Sequence, residues 1–167
     1  NDAKGYSVKG DLLLRNNQKE EALASYKEAL KHEDGKFPIW NQVLMLEYEL
    51  MKFEDLYKDA RACSALFPTI SSVQLLYTIA CVQIDHFQEA IDAADMGKDL
   101  VVNDPATESE FYAQKGDALF GLKRYQEGAE AYDKALAVFP SNSLTKNNYA
   151  MRLALANMDL SKAEKLI

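Results

Sequence analysis

The chain has 167 residues and a net charge of −7, an acidic balance that excludes a phosphate-backbone partner, since such binding needs clustered Lys and Arg to release counterions. Hydrophobic residues make up 48% of the sequence, with seven Gly and four Pro, which is the profile of a folded, helix-rich chain and excludes a disordered one. No apolar run approaches the roughly 20 residues needed to cross a membrane, so no membrane insertion is expected of these residues.

The charge is unevenly placed. Residues 1–36 carry seven basic and seven acidic groups, residues 109–167 carry eight and seven, and residues 37–108 carry four and twelve. The whole imbalance lies in the middle of the chain. Two readings stand: solvated acidic helix faces that aid solubility, or a field that steers a basic partner towards the centre.

In chain order, the first unit runs over about 3–36, with a turn at Asn16-Asn17 and a second helix ending near Glu33-Asp34-Gly35, where Gly35 suits a left-handed helix stop. The second, 37–70, opens on Phe37-Pro38, with Pro in a first helical turn; its Trp40 is expected in the core between hairpins. The third, 71–104, starts with a Ser71-Ser72 cap signal, and its first helix, VQLLYTIACVQI, is apolar on nearly every side. Residues 103–110 are a reset: Thr107 with Glu110 forms a capping box, and Asp104-Pro105 offers a start one turn earlier. The fourth, 109–142, sets Tyr112, Gly116 and Leu119 on one helical face, turns at Leu122-Lys123-Arg124, then repeats the period with Tyr125, Gly128, Tyr132, Ala135 and Leu136 before Pro140. A partial fifth unit covers 143–167, its turn one residue longer than the others.

These units share columns. The small or apolar residue opening each second helix is Ala22, Leu56, Ala90, Gly128 and Ala163; the next columns read Tyr26, Ala60, Ala94, Tyr132 and Ala29, Cys63, Gly97, Ala135. First helices give Tyr6, Trp40, Gln74, Tyr112 and Gly10, Leu44, Thr78, Gly116. The aromatic-Gly-Leu, turn, Tyr-x-x-Ala-Leu and Pro pattern at a 34-residue period resembles the tetratricopeptide repeat. Gln74, Gly97 and four extra residues before the fourth unit depart from it. The resemblance implies an all-α fold: a right-handed superhelical solenoid of antiparallel helix hairpins, about four and a half units in a single solenoid over 1–167. A lone hairpin cannot bury both faces, so copies stack. The style looks bacterial. Because the sequence opens at Asn1 without Met and ends at Ile167 within a helical pattern, a fragment of a longer chain is expected, and location stays open between cytoplasm and bacterial cell envelope or periplasm.

Catalytic and metal chemistry has no candidate. The two His and two Cys show no ligand spacing, no phosphate-cradling Gly run occurs, and neither His has a visible nucleophile or orienting partner. No cofactor and no enzymatic activity are expected. Cys63 and Cys81 fall in packing columns and read as buried free thiols, with a disulfide as the alternative in an exported parent.

What the resemblance adds is a surface. In such arrays the first helices line a concave groove that receives a peptide or partner helix, and the matching positions here include Asn41, Met45, Tyr48, Glu49, Leu75, Leu76, Ile79, Val82, Asp117 and Phe120. Met45, Tyr48, Leu75, Leu76, Ile79 and Val82 would form an apolar floor edged by Asp11, Glu49 and Asp117. Apolar groups on a groove side need a cover: a partner segment, a second copy forming a homodimer, missing chain, or burial by curvature alone. The five positions of the chaperone-tail clamp hold no cation, whether the clamp is set on the first three units or begins at the second. The implied function is therefore a non-catalytic protein-interaction scaffold that binds an apolar or amphipathic peptide; self-association, or a regulatory part of a larger enzyme or envelope assembly, is the alternative.

Overall fold

The computed structural model describes residues 2–167, and among them every regular element is α-helical. The helices are α1 (Asp2–Arg15), α2 (Lys19–His32), α3 (Phe37–Glu49), α4 (Phe53–Leu66), α5 (Ser71–Gln83), α6 (Phe87–Lys98), α7 (Pro105–Gly121), α8 (Tyr125–Val138), α9 (Ser143–Leu155) and α10 (Leu160–Leu166). The chain is an all-α helical-repeat solenoid.

Each first helix ends in the same device. The residues Asn17, Met51, Asp85, Lys123 and Asn157 all have positive φ, between 53° and 63°, at intervals that reproduce the 34-residue period and its one four-residue insertion. Around each, the following amide reaches back five residues, as in Gln18 to Leu13, Lys52 to Glu47, His86 to Cys81, Arg124 to Leu119 and Met158 to Leu153. That is a Schellman stop, which satisfies the last helical carbonyls while reversing the chain. None of the five is a Gly, and no Gly among the described residues has positive φ. Gly35 is therefore not the left-handed stop that its position suggested: α2 closes on an extended Glu33.

Two further points were open in the sequence. The helix after the reset starts at Pro105 with Asp104 as its cap, accepting from the Thr107 amide at 3.1 Å, so the earlier start holds and the Thr107/Glu110 box does not begin it. An aspartate cap followed by Pro is a stronger start, because Pro loses no hydrogen bond in a first turn. In the last hairpin the turn does contain an extra residue, Asp159 at φ 27°, which caps α10 and delivers Ala163 to the buried column.

The chain divides within α5 into two compact units, residues 1–80 and 81–167. In the first, α1 and α2 form a hairpin on which α3 packs, and α4 folds back on α3. Its core joins Ala22, Leu23, Tyr26 and Ala29 to Ile39, Val43 and Leu46. Trp40 is buried and donates its indole N–H to the Asp34 carbonyl at 2.6 Å. In the second unit α6 packs on α7, α7 pairs with α8, and α9 packs on both α7 and α8. Its core runs from Ala113 and Phe120 through Tyr132 and Ala135 to Tyr149 and Leu153.

Candidate functional site

The groove positions begin with α3. Ile39, Trp40, Val43, Leu44 and Leu46 are buried, as the helical period requires of a core face. Met45 and Tyr48, three residues apart on another face, stay 40% and 41% exposed. Half-buried Asn41 stands one turn before Met45, and exposed Glu49 follows Tyr48, its carboxylate 3.0 Å from Lys19 Nζ. α3 thus brings Asn41, Met45, Tyr48 and Glu49 together along one helix.

α5 behaves differently. Leu76, Ile79 and Val82 are buried and Leu75 is half-buried. A helix that is apolar all round is covered all round, as its pattern demands. Phe120 is also buried, with its ring 5.8 Å from that of Tyr125 and 6.2 Å from that of Tyr132. Among the ten positions, then, Met45 and Tyr48 are the apolar groups most open to a ligand.

Asp117 is committed inside the chain. It is 7% exposed, accepts from the Tyr132 hydroxyl at 2.8 Å and pairs with Arg152 Nε at 2.5 Å. Burial, reinforced by the neighbouring Asp117 charge, holds the Tyr132 hydroxyl protonated well above the ordinary tyrosine range. The first hairpin has the same pair, Tyr26 donating to Asp11 at 2.6 Å. Sequence reasoning placed both acids on the groove edge and missed these bonds. The signal was present: the two hairpins with Gly10 and Gly116 are those with Tyr26 and Tyr132 and those with Asp11 and Asp117.

His32 stacks on Tyr6 with ring centres 5.6 Å apart, and His86 lies 3.4 Å from Glu89. Cys63 and Cys81 are both buried, and no disulfide joins them. Among the described residues no group of three or more His, Cys, Asp or Glu is placed to hold a metal ion, and no helix is long and apolar enough to cross a membrane.

Stacked hairpins with a shared left-handed stop and repeated Gly-against-Tyr packing define the helical-hairpin repeat class. Profiles of the tetratricopeptide repeat match residues 109–142 and 3–31, and the chain is a tetratricopeptide-repeat protein. Comparison with curated proteins gives no match. Among solved structures, the chain is similar to MamA 41-end from Desulfovibrio magneticus RS-1, with 20% identity, a TM-score of 0.80, and 99% of this chain and 91% of that one covered. It is also similar to a thermophilic tetratricopeptide protein of Thermus thermophilus, at 14% identity and a TM-score of 0.71 over 98% and 87% of the two chains. A third is YrrB, described as a tetratricopeptide protein with an unusual peptide-binding site, at 16% identity and a TM-score of 0.71 over 99% and 82%. At these identities the likeness is one of fold.

Proposed function

We propose that the chain is a non-catalytic protein-interaction scaffold that takes an apolar or amphipathic peptide segment against the groove positions of its first helices. The observation that carries this reading is the exposed pair Met45 and Tyr48 on a helix whose Ile39, Trp40, Val43, Leu44 and Leu46 are buried. An amphipathic Tyr beside a flexible Met suits peptide recognition, because the Tyr gives contact area at small ordering cost and the Met adapts its shape to the segment it meets. Asn41 offers an amide to a peptide backbone. The acidic excess over residues 37–108 favours a segment with basic flanks, acting on encounter rate more than on final affinity. That YrrB is described as having a peptide-binding site adds support by fold alone.

The test is selection of peptides from a random library on the parent chain, followed by anisotropy titration against Tyr48→Asp and Met45→Asp. Both side chains are substantially exposed, so both variants should melt within a few degrees of the parent. The expected result is a loss of about tenfold or more in affinity, the scale of one interface anchor. Selected peptides that bind both variants as well as the parent would place the contact elsewhere and end this reading.

A further inference from the structure

One column of the repeat contains a chemical exception. It holds Leu13, Cys81, Leu119 and Leu153 in the other hairpins, and in the second it holds Glu47. Glu47 is completely buried, although a carboxylate in a core column has to be either compensated or uncharged. Among the described residues, the charged groups that face it are Lys27, from α2, and Asp59, from α4. Lys27 Nζ lies 2.5 Å from Glu47 Oε1 and 2.9 Å from Asp59 Oδ2. Glu47 meets Lys27 as an ion pair, and both of its carboxyl oxygens are sealed from water.

The arithmetic of charge decides what this cluster does. Lys27 is one cation between two carboxylates, and Asp59, which keeps contact with solvent, shares it. With Glu47 protonated the cluster is a neutral Lys27–Asp59 pair over a carboxylic acid. With Glu47 ionised, two like charges compete for one ammonium, and the Glu47 oxygens themselves are out of reach of water. Burial raises the Glu47 carboxyl most, Asp59 adds to the rise, and Lys27 opposes it; the result lies far above the carboxylate range, at about 8.

We propose that Glu47 is a proton-operated latch between the first two hairpins: uncharged, it lets α2, α3 and α4 close over it, and on ionising it loosens α2 from α3. Its folded pKa lies above its unfolded value, so the closing contribution is complete below the ordinary Glu range and is lost as pH rises through about 8. The latch sits on the same helix as exposed Met45 and Tyr48, two and one residues away. Its opening would therefore disturb the one apolar pair on α3 that faces solvent.

Amide hydrogen exchange on the whole chain between pH 6 and 9, corrected for the intrinsic effect of hydroxide, tests this together with a carboxyl-carbon NMR titration of Glu47. Amides of α2 and α3 should open at least about tenfold more often at pH 9 than at pH 6, since a single shifted group changes an equilibrium by up to about tenfold per pH unit. Amides of α7 and α8 serve as the internal reference and should not follow. Glu47→Gln, which keeps the shape, and Glu47→Leu, which installs the residue found elsewhere in the column, should both flatten the profile. The latch is refuted if the parent profile is flat, if Glu47 titrates below pH 6, or if Glu47→Gln retains the step. It is equally refuted if Glu47→Gln opens at every pH, because the charge itself would then be what holds the hairpins together.

Discussion

The Tyr132 hydroxyl donates to the Asp117 carboxylate across the fourth hairpin at 2.8 Å, and the backbone of Gly116 lies directly under the same ring. Gly10, Asp11 and Tyr26 repeat this triad in the first hairpin, with the bond at 2.6 Å. In the second hairpin the three columns change together to Leu44, Met45 and Ala60, and in the third to Thr78, Ile79 and Ala94. Where the ring is gone, a larger side chain takes the Gly position. Where the hydroxyl is gone, so is the acid. Asp11 and Asp117 are thus explained by their tyrosines, and the groove-side column turns apolar only when no tyrosine needs an acceptor.

Gly116→Ala tests the packing half of that triad. A Cβ there would stand 2.6 Å from Tyr132 Cδ2 and 3.3 Å from the Gly128 carbonyl oxygen. The ring is held by its hydroxyl bond and by Tyr149, stacked 4.8 Å away, so it cannot swing aside freely. Overpacking of this kind costs about 1–3 kcal/mol, against about 0.5–1 kcal/mol returned by replacing a helical Gly. Urea denaturation should show a net loss of about 1–2 kcal/mol. Combined with Tyr132→Ala, the loss should fall clearly below the sum of the two single changes, because the residues share one space.

Asp117→Ala removes the acceptor for a buried hydroxyl and the partner of Arg152 together. Leaving such a group unsatisfied costs about 1–3 kcal/mol, and the partly exposed Arg152 recovers water and adds little. The expected loss is about 2 kcal/mol by urea titration, about half of it restored in Asp117→Asn, which can still accept from Tyr132. A variant as stable as the parent would show that the carboxylate is free for a ligand after all.

The repeat architecture was legible because it rests on columns of residue size, which survive in one sequence: Ala22, Leu56, Ala90, Gly128 and Ala163 are all buried. Even the extra residue in the last turn could be seen as a slip of one in that column. The stops were half legible. Asn17 and Asn157 are residues that tolerate the left-handed region, while Met51 and Lys123 give no such cue and are held there by the hairpin geometry alone. Gly35, the residue type that usually marks a stop, was misleading because its helix ends without one. At the groove, side-chain type showed that α5 must be covered but could not show that Ile79 and Val82 are buried while Met45 remains open, since that depends on neighbouring helices. Glu47 looks like any surface acid on its own helix, and only the column it shares with Leu13, Cys81, Leu119 and Leu153 marks its place as a core position.

Replacing Met51 by Gly should stabilise the chain. The residue is 74% exposed, while its backbone sits at φ 54°. A non-Gly residue there carries about 1–2 kcal/mol of strain, partly offset by the greater entropy a Gly loses on folding. A gain of about 0.5–1 kcal/mol is expected, a rise of roughly 1–4 °C in melting temperature. Lys123→Gly should behave alike, and Asn17→Gly should change little. An equal response at all three positions would mean that residue type, not backbone strain, sets the outcome.

Cys63 provides a probe of opening. It is completely buried in the column that holds Ala29, Gly97 and Ala135, and burial pushes its thiol up to about 11. At pH 8 the native thiolate is then about one part in a thousand, and the sulfur is shielded as well. The shift also bears on stability: the folded pKa is raised, so its contribution is intact below the ordinary thiol value of 9.0 and is lost as pH climbs from there to about 11. Labelling by a disulfide reagent at pH 8 should therefore proceed only through opened chains, slow in buffer and accelerating with urea in step with the unfolding curve measured by circular dichroism. Rapid labelling of Cys63 in buffer, with helix content unchanged, would show that the second hairpin opens locally far more easily than its buried column implies.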